Sequence, residues 1–70
     1  MNYLNILSEN LKKIRIEKSM TIKEMANITG IPKSFLVKID NLSAKRIKLL
    51  YLEKLCKTLN TEIKNLFYNK

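Results

Sequence analysis

Lys33, Lys38, Lys45, Arg46 and Lys48 place five cations between Pro32 and Lys48, where Asp40 is the one carboxylate. That density suits a polyanion, because each ammonium or guanidinium that meets a phosphate releases a condensed counterion. The whole chain carries the same bias: 14 Lys and Arg stand against 6 Asp and Glu, a net charge of +8. Nucleic acid is the first polyanion to weigh and an anionic membrane surface the second. The plain alternative is that lysine keeps a small protein soluble. Catalytic chemistry is poorly supplied. There is no His and a single Cys, Cys56, which removes zinc fingers, disulfide scaffolds and most acid–base or metal catalysis. No nucleophile–base pair is visible, and Cys56 falls on a core-facing position. The expectation is no enzyme, no cofactor and no metal.

Groups that meet a polyanion need a rigid support, and the apolar spacing describes one. Leu4, Leu7, Leu11 and Ile14 follow the i, i+3, i+4 rule and predict a helix from about residue 3 to 17. Thr21 and Glu24 have capping-box spacing and open a second helix, which Thr29-Gly30 closes. Pro32 suits the first turn of a third helix, running over about 32–41. Leu49, Leu52, Leu55, Cys56 and Leu59 define a fourth, with Asn60 as its end signal. Thr61 caps a last short helix carrying Ile63, Leu66 and Phe67. No window alternates with period two. The 70 residues, 46% hydrophobic and 29% charged, read as one all-α domain, a compact five-helix bundle spanning 1–70. No stretch reaches the ~18 apolar residues of a membrane span. The first ten residues lack a basic leader, so the expectation is a cytoplasmic protein.

The informative stretch is Ile22 to Asn41, where each apolar or small residue has a mechanical reason in a helix-turn-helix. Ala26 lets two helices cross closely, Gly30 permits positive φ in the turn, and Ile31, Leu36 and Ile39 lock the second helix to the core. Such a unit holds one helix firmly with its outer face free for a DNA major groove, which is about 12 Å wide. By spacing, Lys33, Ser34, Val37 and Lys38 are on that outer face. Phe35 has two readings, bracing helix two or lying along the sugar-phosphate backbone, of which bracing is favoured.

The chain resembles the Cro/lambda-repressor-like helix-turn-helix domains, also called the xenobiotic-response-element family. The resemblance runs from Leu11 to Phe67, through Leu11-Lys12-Lys13-Ile14-Arg15, Met20 to Ala26, Gly30 to Leu36, Ile39-Asp40-Asn41 and Leu52 to Asn60. It implies a five-helix bundle whose second and third helices read DNA, in a transcriptional regulator, most often a repressor, acting as a homodimer. Four features depart from the family pattern. Ile22 stands for a Gln that touches phosphate, Asp40 for Glu, and Leu42 for a Gly, which suggests a different exit turn. The loop from Ser43 to Lys48 is about one residue longer and lacks its Pro.

By the same resemblance, Lys33, Ser34 and Lys38 match base-contacting positions. Lysine can donate to guanine O6 and N7, and Val37 can pack on a thymine methyl. Phosphate contacts are expected on both flanks. Thr21, Ile22 and Lys23 lie where a helix N-terminus attracts anions, and Asn41, Ser43, Lys45 and Arg46 lie beyond the third helix, with Lys48 also a candidate. Arg15 and Asp40 match a structural ion pair joining helix one to helix three, looser here because Asp is a methylene shorter. Leu50, Tyr51, Phe67 and Tyr68 exceed what a bundle core needs and suggest a dimer patch. A dimer would set two reading helices about 34–36 Å apart. The alternative role on this fold is a toxin-neutralising or other protein-binding partner that autoregulates its operon. No membrane association and no small-molecule ligand are expected.

Overall fold

A computed structural model describes residues 3–68, and among them the chain forms five helices and no strand. They are α1 (Tyr3–Glu17), α2 (Ile22–Thr29), α3 (Lys33–Asp40), α4 (Leu49–Leu59) and α5 (Ile63–Leu66). On α1 the helical spacing buries Leu4, Leu7 and Leu11, while Ile14 packs at the edge of the core and Ile16 is exposed. Met25 from α2, Ile31 from the turn, Leu36 and Ile39 from α3, Leu55 and Leu59 from α4, and Leu66 from α5 complete one apolar cluster. Deleting the side chain of a fully enclosed member such as Leu7 would cost about 2–5 kcal/mol.

Connectivity follows from which faces are apolar. α1 packs on α3 and α5, α2 on α3 and α4, and α4 on α5. The eight residues of α3 are thus held from two sides, by a sequence neighbour and by a helix far away in the chain. α1 is also tied to the end of the bundle by a polar contact: Asn10 Nδ2 donates to the carbonyls of Leu66 (2.7 Å) and Tyr68 (3.0 Å). These oxygens lie at the end of α5, where helical partners have run out.

The ends of α2 are built as the spacing predicts. The Glu24 N–H donates to Thr21 Oγ1 at 3.1 Å, and the Thr21 N–H donates to Glu24 Oε1 at 2.9 Å. Gly30 closes the helix at φ 75°, and a β-carbon added there would meet the Lys54 side chain only at 3.5 Å. The demand for glycine is therefore conformational and not one of space. Thr29, buried, supports the same turn: its hydroxyl donates to the Met25 carbonyl (2.7 Å) and accepts from the Ile31 N–H (3.2 Å).

Several expectations are corrected. Pro32 lies one residue before α3, at φ −55° and ψ 134°; that extended ψ keeps it outside the helix, while its carbonyl accepts from Phe35 and Leu36. Leu49 is 63% exposed rather than in the core. As the first residue of α4 it has no preceding turn to close over it. α5 starts after Glu62 and not on a Thr61 cap: the Thr61 N–H closes α4 by donating to the Cys56 carbonyl, and its hydroxyl accepts from Asn65. Asn60 ends α4, as expected, and does so in the left-handed conformation.

Candidate nucleic-acid interface

α3 divides its residues by face. Leu36 and Ile39 are buried and Phe35 is half-buried, whereas Lys33, Ser34, Val37 and Lys38 are exposed. The orientation predicted from spacing is the one observed, and no part of the described chain covers that outer face. Phe35 packs against the core and meets α4. Its ring lies 5.1 Å from that of Tyr51 in the first turn of α4, tilted by 52°. Tyr51 in turn carries Lys48, whose Nζ sits 5.6 Å from the ring centroid. This is a cation–π distance.

At the far end, Arg15 Nη2 lies 3.5 Å from Asp40 Oδ1, and Arg15 Nη1 donates to the Met20 carbonyl at 3.4 Å. The carboxylate meets the guanidinium through one atom pair and not as a two-pronged fork. Asp40 is the one acid between Pro32 and Lys48, so this pairing also withdraws the local negative charge toward α1. Lys33, Lys38, Lys45, Arg46 and Lys48 are all exposed. A shallow cleft of about 430 Å³ between α3 and the following loop is lined by Phe35, Lys38, Ser43, Ala44, Lys45 and Arg46, so three cations stand around a partly apolar floor.

The loop leaving α3 is ordered by its own hydrogen bonds. Asn41 Oδ1 accepts from the Ser43 N–H (3.1 Å) and hydroxyl (2.6 Å). That use of the oxygen leaves Nδ2 as the donor of this exposed side chain, and it engages the Ser43 hydroxyl proton within the turn. The exit turn does not differ by avoiding the glycine conformation: Leu42 adopts φ 64°.

The other flank is less open to an anion than its helix dipole suggests. The capping box engages the Thr21 and Glu24 N–H groups and sets the Glu24 carboxylate at the start of α2. The Ile22 side chain is half-buried and packs on the core, which leaves the backbone N–H as the group this residue could offer an anion. Thr21 and Lys23 are exposed. Sequence reasoning had no signal for Asn10, whose role depends on carbonyls at the far end of the chain, and none for the hydrogen bonds by which Thr29 supports its turn.

Of the four residues suggested as a dimer patch, Leu50 and Tyr68 are 55% and 61% exposed. Tyr51 and Phe67 are half-buried and engaged inside the chain, Phe67 with its ring 5.8 Å from that of Tyr3. Cys56 is half-buried on α4, and burial pushes its thiol pKa up. A protonated thiol behaves as a small apolar group and a poor nucleophile. Among the described residues no three His, Cys, Asp or Glu side chains gather as a metal site, and no helix is long and apolar enough to cross a membrane.

No curated protein and no solved structure matches the chain. The family model of the Cro/C1-type HTH DNA-binding domain does, over residues 10–68. That span takes in the capped α2, the Gly30 turn, the two-faced α3 and both helices that follow. On this agreement of pattern and geometry, the chain belongs to the Cro/C1-type helix-turn-helix DNA-binding domains.

Proposed function

We propose that this chain is a sequence-specific double-stranded DNA-binding transcription regulator, a repressor, that reads the major groove with α3. The observation carrying the reading is the outer face of that helix: Lys33, Ser34, Val37 and Lys38 stand free on an element whose opposite face is anchored in the core. In this reading the two lysines and Ser34 donate to base edges and Val37 packs on a thymine methyl. Asn41 Nδ2, Lys45 and Arg46 hold phosphates on one flank. The Ile22 and Lys23 N–H groups serve the other, together with the exposed Thr21. Ser43 acts by shaping the turn, since its hydroxyl is engaged with Asn41.

The chain works as one DNA-binding unit in the cytoplasm, without a catalytic role, and pairs with a second copy so that two α3 helices face successive turns of a duplex, about 34–36 Å apart. Leu50 and Tyr68 are the exposed part of the surface that meets the partner copy. In this reading repression follows from occupancy, the bound chain excluding other proteins from its site.

Titration of a randomised duplex pool at two salt concentrations tests the reading. One family of sequences should be retained against non-specific competitor, with affinity falling steeply as salt rises. Retention of all sequences alike would remove the sequence-specific reading, and no retention would remove DNA binding altogether.

A further inference from the structure

Four helices are followed by a residue in the left-handed region: Ser19 at φ 53°, Gly30 at φ 75°, Leu42 at φ 64° and Asn60 at φ 53°. Glycine takes this conformation freely and asparagine tolerates it, while serine is at least small and polar. Leucine fits it worst. The turn leaves no freedom to relax, because the Leu42 N–H donates to the Ile39 carbonyl (3.2 Å) and the Ser43 N–H to the Lys38 carbonyl (2.9 Å). This is the Schellman pairing, which requires positive φ at the residue between the cap and the second donor. Burial does not compensate. Leu42 is 55% exposed and is not among the side chains packed on the core. The leucine side chain thus opposes the backbone conformation without packing on the core.

Its surroundings show what it can meet. Leu42 stands in the chain between Lys38 of α3 and the pair Lys45 and Arg46, all exposed, and the residues on either side of it, Lys38 and Ser43, line a cleft with Phe35, Ala44, Lys45 and Arg46. We infer that Leu42 is a duplex-contacting residue. Its side chain packs on deoxyribose carbons at the groove edge while the neighbouring cations hold the phosphates of the same strand. The inference rests on the DNA-binding reading above. Cationic neighbours favour a nucleic-acid strand over a second copy of this basic chain. An apolar contact of this kind releases no counterions, so its contribution to binding is independent of salt.

Two variants test it, Leu42→Gly and Leu42→Ala, each measured for thermal unfolding and for affinity toward a duplex selected by the unaltered chain. Leu42→Gly relieves the backbone and should raise the melting temperature by about 4–8 °C. It should also weaken binding roughly fivefold, by the same factor at low and high salt. Leu42→Ala should weaken binding to a similar extent with little gain in melting temperature. Binding as tight as that of the unaltered chain in either variant overturns the inference. So does a loss confined to Leu42→Gly, which would assign the effect to loop freedom, or a loss that tracks dissociation of a dimer in sedimentation. If the unaltered chain selects no duplex at all, the underlying DNA-binding reading fails and takes this one with it.

Discussion

The Arg15 guanidinium and the Asp40 carboxylate approach to 3.5 Å through a single atom pair, with their side chains 24% and 32% exposed. The contact joins the end of α1 to the end of α3, but at the long limit of an ion pair and in partial solvent. Such a pair stabilises by about 1 kcal/mol and not by the several expected of a buried one. Arg15→Ala should therefore lower the melting temperature by about 4–8 °C. Asp40→Glu, one methylene longer, should bring the carboxylate into closer contact and raise it. Thermal unfolding of both variants checks the pair, and an unchanged value for Arg15→Ala would show that it contributes nothing.

Gly30 gives a second prediction, of opposite origin. A methyl group fits at this position without collision, since the nearest side-chain atom is 3.5 Å away. The backbone at φ 75° is what disfavours it. Gly30→Ala should destabilise by about 1–2 kcal/mol, and Gly30→Asn by less, because asparagine tolerates the left-handed region. Urea unfolding of the two variants distinguishes a conformational cause from a steric one, which would penalise the larger Asn more.

Lys33 and Arg46 separate reading from holding. Lys33→Ala should change which duplex sequence is preferred, with a discrimination loss of about 1–3 kcal/mol at one position. Arg46→Ala should weaken all sequences alike and reduce the salt dependence by about one counterion. Selection from a randomised pool, followed by titration at several salt concentrations, makes the comparison. Identical behaviour of the two variants would remove the base-reading role of Lys33.

Cys56 carries a pH prediction. Burial raises the thiol above its ordinary pKa in the folded chain, so the folded state disfavours the thiolate. The stability contributed by the neutral thiol is then fully present below the ordinary thiol pKa and is lost as pH rises through the raised one. Relative to the unaltered chain, Cys56→Ala should lose less stability between neutral and strongly alkaline pH, and alkylation of native Cys56 should be slower than that of the unfolded chain at the same pH. Equal rates would contradict a protected thiol.

Local patterns told most of this fold in advance, and the exceptions share a cause. The α1 stripe, the Thr21–Glu24 box, the Gly30 turn and the left-handed Asn60 are decided within one or two helical turns, so residue type and spacing suffice. The exposed face of α3 was legible for the same reason, since burying Leu36 and Ile39 dictates where Lys33, Ser34, Val37 and Lys38 stand. What was not legible depends on partners distant in the chain. Phe35 meets Tyr51 only once α3 and α4 have been placed, and Asn10 finds the Leu66 carbonyl across 56 positions. Leu42 misled differently: its type argued against a left-handed turn, yet the hydrogen bonds that close α3 impose one.

The eight residues of α3 keep anchor and address in separate positions. Leu36 and Ile39 fix where the helix lies, and Lys33, Ser34, Val37 and Lys38 touch none of that machinery. Substitutions can therefore accumulate on the outer positions without eroding the bundle. A scaffold of this kind can exchange one target for another by small steps, remaining folded at every one of them.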